Sequence, residues 1–336
     1  MRLPRFDYVK PASLEEVLAL LHESGSKTRI LAGGTDLLVN MKYGLLRPEK
    51  IVSIRALPDL GRVSEDRDGN VRVGACISLA DLAKNRMISE KLPAFREAVA
   101  AVASRHIRNM ASLGGNICLD TRCWYYNQSK LWREAREACY KTGGSLCHSI
   151  KGSKRCHAIN SSDTAPMLMA LNARVVVMKS GHERVVPLRQ FYGGDGLHRN
   201  VLEPDEMVTE IVLPAQDPNS RARFIKVCSR RGIDFASGSI AARISWNHKK
   251  CTAAKLIIGS MTSAPRVLEK AAQVLMDSGL SEKSIEKAAD VARSELGTLT
   301  NLFFSAGYKR DLAGVLVRRV LYDIKEKTKD KRRAKR

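Results

Sequence analysis

Apolar and polar residues alternate over the first fifty-five positions in a way that predicts a small α/β module. Ser13, followed by Glu16, has the pattern of a capping box, and apolar residues recur at helical spacing as far as Leu21. This predicts a helix from Leu14 to Ser24 that ends at Gly25. The elements expected next are a strand at residues 29–32, a glycine turn at 33–36, a short helix from Leu37 and a strand at 51–54.

The middle of the chain predicts an α+β unit. Pro93 suits the first turn of a helix, and the stretch 180–182 separates two apolar runs as a hairpin turn would. The predicted elements are a strand at 71–75, a helix from Leu79, a helix at 93–103, hairpin strands at 175–178 and 184–186, and a strand at 207–213 that Pro214 ends.

A polar, turn-rich joint at residues 216–220 separates this unit from a C-terminal one. Beyond the joint come predicted strands at 223–228, 239–246 and 251–258, then helices starting at Pro265 and Ser281 and one spanning 308–324. Strands followed by helices predict a short antiparallel sheet with helices on one side.

Composition limits the classes of function. The 336 residues carry a formal charge of +22, but only 5% are aromatic and no nucleic-acid-binding motif accompanies the charge, so no nucleic-acid partner is expected. The chain has no apolar run long enough to span a bilayer and no apolar N-terminal signal, which predicts a cytoplasmic protein without membrane insertion. The basic stretch 325–336 is typical of a solvated, mobile tail.

Four of the eight cysteines, Cys123, Cys139, Cys147 and Cys156, fall in one short polar segment. Thiolates that converge from one loop hold zinc or an iron-sulfur cluster. Fifteen, seven and eight residues separate the four cysteines, which is not zinc-finger spacing, although His148 and His157 leave a mixed zinc site open. Unpaired thiols, or two disulfides in an exported protein, are the remaining alternatives. The other four, Cys76, Cys118, Cys228 and Cys251, are interpreted as small packed residues.

Two glycine pairs stand out, one at residues 32–36 and one at 111–116. Paired glycines expose backbone N–H groups and let a pyrophosphate approach, although an ordinary tight turn is the better explanation of a single pair. Neither segment fits the Rossmann or P-loop pattern.

Taken together with Ser162-Asp163, Lys226 and residues 229–231, the glycine pairs occur in the order of a flavoprotein family. The chain resembles the FAD-binding subunits of the xanthine dehydrogenase and CO dehydrogenase group over nearly all its length, except the cysteine segment and the basic tail. The resemblance implies an α+β fold: a vanillyl-alcohol-oxidase-like (PCMH-type) FAD-binding fold in two subdomains, plus a C-terminal three-stranded antiparallel sheet with a helix layer. The implied limits are residues 1–55 and 56–216 for the subdomains, about 118–160 for an insertion, 221–324 for the C-terminal domain and 325–336 for the tail.

The insertion is similar to that of one branch, the β subunit of 4-hydroxybenzoyl-CoA reductase, which carries a 4Fe-4S cluster there. By resemblance, the four cysteines of the insertion would be the cluster ligands. The family's FAD contacts would map to Ile30, Leu31, Ala32, Gly33, Gly34, Thr35, Asp36, Leu37, Val102, Ala111, Ser112, Leu113, Gly114, Gly115, Asn116, Asp163, Val208 and Lys226. Lys226 would approach the flavin ring, and Tyr192 would either cover one ring face or only pack.

The resemblance implies an electron-transfer subunit with no catalytic residues of its own. A large molybdopterin subunit and a small 2Fe-2S subunit would be its partners, and an acidic ferredoxin would donate electrons that pass through 4Fe-4S and FAD to the partners' centres. The alternatives are the FAD subunit of an oxidative xanthine, CO or aldehyde dehydrogenase-type hydroxylase, and a basic zinc-loop binding module that is not an enzyme.

Overall fold

The computed structural model describes residues 2–230, 233–248, 250–298, 300 and 303–333, with side chains up to Glu326. These residues form three β-sheets with helices packed around them. The fold class predicted from the sequence, α+β with an antiparallel C-terminal sheet, is confirmed. None of the helices described is both long and apolar enough to cross a lipid bilayer.

The first unit is a three-stranded parallel sheet with strand order β1-β3-β2. Its elements are β1 (Asp7–Val9), α1 (Leu14–Ser24), β2 (Thr28–Leu31), α2 (Leu37–Lys42) and β3 (Lys50–Ser53). The α1 helix begins as predicted, because the Ser13 hydroxyl accepts a hydrogen bond from the Glu16 amide (3.2 Å). The sequence did not predict β1, whose three residues carry too little alternation to register as a strand.

The second unit is a five-stranded antiparallel sheet with strand order β4-β5-β8-β6-β7. Its strands are β4 (Val63–Glu65), β5 (Val71–Gly74), β6 (Arg174–Lys179), β7 (His182–Pro187) and β8 (Met207–Leu213). The helices are α3 (Leu79–Lys84), α4 (Arg86–Lys91), α5 (Pro93–Ala100), α6 (Arg105–Met110), α7 (Leu113–Ile117), α8 (Lys130–Glu134), α9 (Ala165–Ala170) and α10 (Leu188–Phe191). The predicted helix 93–103 is therefore three residues too long, since the chain turns at Ala103 with a φ of +43°.

The C-terminal unit has four strands where three were predicted. They are β9 (Ser220–Val227), β10 (Gly238–Asn247), β11 (Lys250–Gly259) and β12 (Arg266–Val267), in the order β12-β11-β10-β9. The prediction of a helix from Pro265 was wrong, because the residues after Pro265 pair with β11 as β12 before the helix begins. The helices are α11 (Glu269–Ser278), α12 (Glu282–Glu295) and α13 (Ala306–Arg333), and the last continues through most of the basic tail.

The C-terminal sheet is buried on both faces. Phe224, Ala241 and Ile257 join the core of the five-stranded unit, whereas Ile240 and Ile258 face the core formed with α11, α12 and α13. Successive residues of a strand point to opposite faces, so one sheet serves two apolar cores. This shared packing fixes the C-terminal unit against the unit that carries the second glycine pair.

Candidate functional site

The two glycine segments lie against each other. A Cβ at Gly33 would come within 1.8 Å of the Met110 carbonyl oxygen, which immediately precedes the second segment. Gly34 has a φ of +73°, a backbone conformation that L side chains rarely adopt. The first segment therefore packs backbone to backbone against the second, and glycine at position 33 is what permits it.

The second glycine segment is helical from Leu113 onward. Ser112 caps the short helix α7, and its hydroxyl accepts a hydrogen bond from the Gly115 amide (3.1 Å). Leu113 is fully buried in the core below. The N–H groups of this first helical turn are already engaged, since Leu113 donates to the Ile77 carbonyl (3.2 Å) and Gly114 to the Ala75 carbonyl (2.8 Å).

The glycine segments form part of the wall of a cavity of about 600 Å³, which also reaches the stretch before β10. This volume lies within the range of cofactor sites. Of the residues expected to contact FAD, those lining it are Ile30, Ala32, Gly33, Gly34, Thr35, Asp36, Leu37, Val102, Ala111, Ser112, Gly114, Gly115, Asn116, Asp163 and Val208. Leu31, Leu113 and Lys226 are outside the lining.

Lys226 lies behind the cavity wall rather than at the cavity. Its ammonium group is 2.6 Å from Asp163 Oδ2 and donates to the Ala101 carbonyl (3.0 Å). Burial raises the pKa of the Asp163 carboxyl, and the Lys226 charge opposes that shift. The other oxygen, Asp163 Oδ1, is buried without a hydrogen-bond partner in the structure described, which leaves one acceptor for a bound ligand.

Asn116 organises the wall through its side-chain oxygen. Asn116 Oδ1 accepts hydrogen bonds from the hydroxyls of Ser162 (2.8 Å) and Thr164 (2.6 Å). The sequence predicted that Asn116 would bind the cofactor, but the structure uses this oxygen to hold the Ser162-Asp163 pair against the second glycine segment. The two motifs are 46 residues apart in sequence and are joined here.

Several cavity residues were missed by the sequence analysis. Arg122 is 2.9 Å from Asp36 Oδ1, and its guanidinium lies 4.5 Å from the centre of the Phe235 ring. Burial raises the pKa of Asp36, whereas Arg122 opposes the shift. Arg29 and Arg199 also line the cavity. Single arginines in polar stretches carry no sequence signal that would have singled them out.

Tyr192 does not cover the cavity. Its ring packs edge-on against Phe191, with centroids 5.4 Å apart, and its hydroxyl donates to the Ile117 carbonyl (3.2 Å). Its surroundings are those of a packed core residue, which is the second of the two interpretations offered by the sequence.

A second, much smaller cavity of about 20 Å³ lies inside the insertion. All four cysteines of the insertion line it, together with His148, His157 and three tyrosines, Tyr125, Tyr126 and Tyr140. A close backbone approach shapes the turn between two of the cysteines, since a Cβ at Gly144 would lie 1.8 Å from the Ala138 carbonyl oxygen. Cysteines spread over 34 positions are thus brought to one cavity.

The surroundings of the thiols suit a soft metal centre. The Ala158 amide points at Cys156 Sγ (3.4 Å) and the Thr142 hydroxyl at Cys139 Sγ (3.7 Å). Burial raises the pKa of the Cys156 thiol to about 11, with the Ala158 amide and then Lys141 opposing the shift. A metal that binds there would therefore displace protons from the thiols.

The histidines at this cavity are engaged elsewhere. His148 Nε2 is 2.8 Å from the Glu137 carbonyl oxygen, and His157 Nε2 is 2.7 Å from the Ser153 hydroxyl. Across the described residues, no three His, Cys, Asp or Glu side chains are grouped closely enough to hold a single metal ion. In the part of the chain that the structure describes, the four thiols are therefore not gathered around a single metal position.

Two families account for almost the whole chain. Residues 4–216 match the family described as the FAD-binding domain in molybdopterin dehydrogenase, and residues 223–324 match the CO dehydrogenase flavoprotein C-terminal domain.

Individual relatives align over nearly their full length. The 6-hydroxypseudooxynicotine dehydrogenase complex subunit alpha of Paenarthrobacter nicotinovorans is 28% identical, covering 96% of this chain and 95% of its own. The aldehyde oxidoreductase FAD-binding subunit PaoB of Escherichia coli is 29% identical, with coverages of 90% and 94%. A solved carbon monoxide dehydrogenase from Hydrogenophaga pseudoflava superimposes with a TM-score of 0.80 at 25% identity, covering 96% of this chain and 98% of its own.

Proposed function

The chain belongs to the FAD-binding subunits of the molybdopterin dehydrogenases, the xanthine and CO dehydrogenase group, and we propose that it carries a 4Fe-4S cluster as well as FAD. The observation behind this proposal is that all four cysteines of the insertion line one cavity beside the cavity of the glycine segments. When bound, FAD exchanges one or two electrons and an iron-sulfur cluster exchanges single electrons.

The first cavity has the features needed to hold FAD. The backbone of the first glycine segment offers N–H groups to a pyrophosphate, and the unpaired Asp163 Oδ1 offers an acceptor to a hydroxyl. Arg29 and Arg199 add positive charge to the same cavity. In this proposal Lys226 acts on the cofactor only through Asp163, whose position and charge it fixes.

The second cavity has the ligands needed for a four-iron cluster. Four cysteine thiolates are the usual ligand set of such a cluster, and backbone and hydroxyl donors to the sulfurs tune its potential. The insertion is also rich in lysine and arginine, which offsets the negative charge of ligated thiolates. The alternative of a basic zinc-loop binding module gains no support, because the chain belongs to a family of FAD-binding subunits.

We further propose that the subunit functions in an enzyme resembling 4-hydroxybenzoyl-CoA reductase, with a large molybdopterin subunit and a small 2Fe-2S subunit as partners. The cysteine insertion supports this assignment. The second candidate is an oxidative hydroxylase of the CO or aldehyde dehydrogenase type, which the names of the relatives support, since dehydrogenases and an aldehyde oxidoreductase dominate among them.

Anaerobic purification of the native complex tests the proposal directly. We expect about four iron atoms and four sulfides in the isolated FAD subunit, together with flavin, and co-purifying chains that contain molybdenum and further iron. Zinc in place of iron, or flavin without iron, would refute the cluster. Reduction of the complex by ferredoxin, without reaction with NADH, would separate the reductase from the oxidative hydroxylase.

Electron entry should depend strongly on salt if an acidic donor docks on the insertion. Lys151 and Lys154 are exposed there, so their attraction for an acidic protein is screened as ionic strength rises. We expect the rate of reduction by ferredoxin to fall at least tenfold between about 0.01 M and 0.15 M salt. Stopped-flow absorbance measures this rate.

A charge reversal with a matched control sharpens the salt test. Lys151→Glu with Lys154→Glu should slow reduction and flatten its salt response. Lys283→Glu with Lys287→Glu changes two equally exposed lysines on α12 and should leave the rate unaltered. Equal effects from both pairs would show only a response to net charge and contradict docking at the insertion.

A further inference from the structure

A buried ion pair crosses the wall between the two cavities. Lys141 lines the cysteine cavity, and its ammonium group is 2.7 Å from Asp120 Oδ1; Asp120 lines the cavity of the glycine segments. The side chains are 5% and 11% exposed. The wall is thin here, since Arg122 lines one cavity and the next residue, Cys123, lines the other.

The Lys141 ammonium group has several partners besides Asp120. It also donates to the Thr121 hydroxyl (2.7 Å), the Thr121 carbonyl (3.2 Å) and the Gly196 carbonyl (3.3 Å). The ring of Tyr126 lies 4.5 Å away. A lysine with this many partners is a fixed charge rather than a mobile surface group.

The other basic side chains of the insertion are placed differently. Arg122 is committed to Asp36, and Arg133 donates to the carbonyls of Tyr43 and Gly44. The remaining ones, which are exposed, are Lys130, Arg136, Lys151, Lys154 and Arg155. Solvent and salt screen exposed charges, whereas a buried charge acts at close to full strength on its neighbours. Among the basic side chains of the insertion, Lys141 should therefore have the strongest electrostatic effect on groups in the wall between the two cavities.

A second cation also contacts the Asp120 carboxylate. Arg199 Nη1 is 3.7 Å from the same oxygen, Asp120 Oδ1, and lines the cavity of the glycine segments. Asp120 thus pairs with one cation that lines the cysteine cavity and with another that lines the cavity of the glycine segments. Asp120 holds both cations in place and partly offsets the field of each.

We propose that Lys141 is a positioning residue that sets the reduction potential of a centre bound by the four cysteines, and that the negative charge of Asp120 partly offsets this effect. The inference rests on the proposed cluster. A cluster gains one negative charge on reduction, so a fixed buried cation beside it stabilises the reduced form and raises the potential. Removing the anion that offsets this cation should act in the opposite direction.

Redox titration of the anaerobically purified complex, followed by the EPR signal of the reduced cluster, tests the inference. At a fixed applied potential near the wild-type midpoint, Lys141→Met should lower the ratio of reduced to oxidised cluster about tenfold, which corresponds to about 59 mV for one electron. Asp120→Asn should raise the ratio. Lys141→Arg should stay near wild type, and Lys151→Met, which removes an exposed lysine of the same insertion, should not change it.

The outcomes distinguish this inference from the proposed function. Wild-type protein without iron overturns both. If Lys141→Met holds a full cluster with the wild-type potential, only the role of Lys141 is overturned. A shift of the same sign in Lys141→Met and Asp120→Asn also overturns that role. Removing a cation and removing an anion should shift the potential in opposite directions, whereas a merely structural disturbance has no reason to do so. If Lys141→Met fails to fold or to hold iron, Asp120→Asn decides: a raised ratio supports the inference, and an unchanged one refutes it.

Discussion

Changing Cys147 to serine is expected to lower the iron content of the subunit from about four atoms per chain to less than one, while FAD stays bound. Cys147 lines the cavity that the other three cysteines share, and a serine hydroxyl is a poor substitute for a soft thiolate. The FAD cavity should survive because its glycine segments lie outside the insertion. Iron, sulfide and flavin analysis of the anaerobically purified variant measures both effects.

Cys228→Ser provides the matched control for this change. Cys228 is half-buried, directly follows β9 and does not line the cysteine cavity. The iron and flavin contents of the Cys228→Ser protein should therefore equal those of the wild type. Full iron content in the Cys147→Ser protein would show that Cys147 is not a ligand of the cluster. Simultaneous loss of iron and FAD would mean that the insertion supports the whole fold rather than one cofactor.

Changing Gly33 to alanine is expected to weaken FAD binding about tenfold or more. The new Cβ would lie 1.8 Å from the Met110 carbonyl oxygen and 2.6 Å from its carbon, and backbone atoms cannot rotate away as a side chain can. Overpacking of this kind costs about 1–3 kcal/mol, and each 1.4 kcal/mol is a factor of ten in affinity. Fluorescence titration of the flavin-depleted subunit with FAD measures the loss.

Gly61→Ala is the control for the glycine change. No atom lies within 4 Å of a Cβ built at Gly61, and its φ is not positive, so this substitution should leave FAD affinity unchanged. Iron content should be normal in both variants if the two cavities are loaded independently. Undiminished affinity in Gly33→Ala would show that the two glycine segments need not touch to bind FAD.

Much of the architecture could be predicted because its signals are local. The Ser13 cap and the apolar spacing behind it located α1, and the 207–213 run located β8 to the residue. Elements of two or three residues were missed or mistaken, as β1 and β12 show. Such strands form because a neighbour offers hydrogen bonds, and their own residues do not encode them.

The residues of the site also fall into those that local sequence signals reveal and those that only long-range contacts reveal. Glycine pairs and clustered cysteines are visible in the sequence because the chemistry requires particular residue types. The partners of single charged residues are not visible. Lys226 meets Asp163 across 63 positions and Arg122 meets Asp36 across 86, so no spacing rule connects either pair.

By itself, therefore, the sequence determined the α+β layers, the two glycine segments and the presence of four thiols in one inserted stretch, since helix and strand periods and residue chemistry act over a few positions. Only the tertiary structure decided that the thiols line one cavity, that Lys226 stands behind Asp163, and that Lys141 and Asp120 join the two cavities. Those contacts depend on how the insertion folds back onto the sheets, which is set by packing between elements remote in the chain.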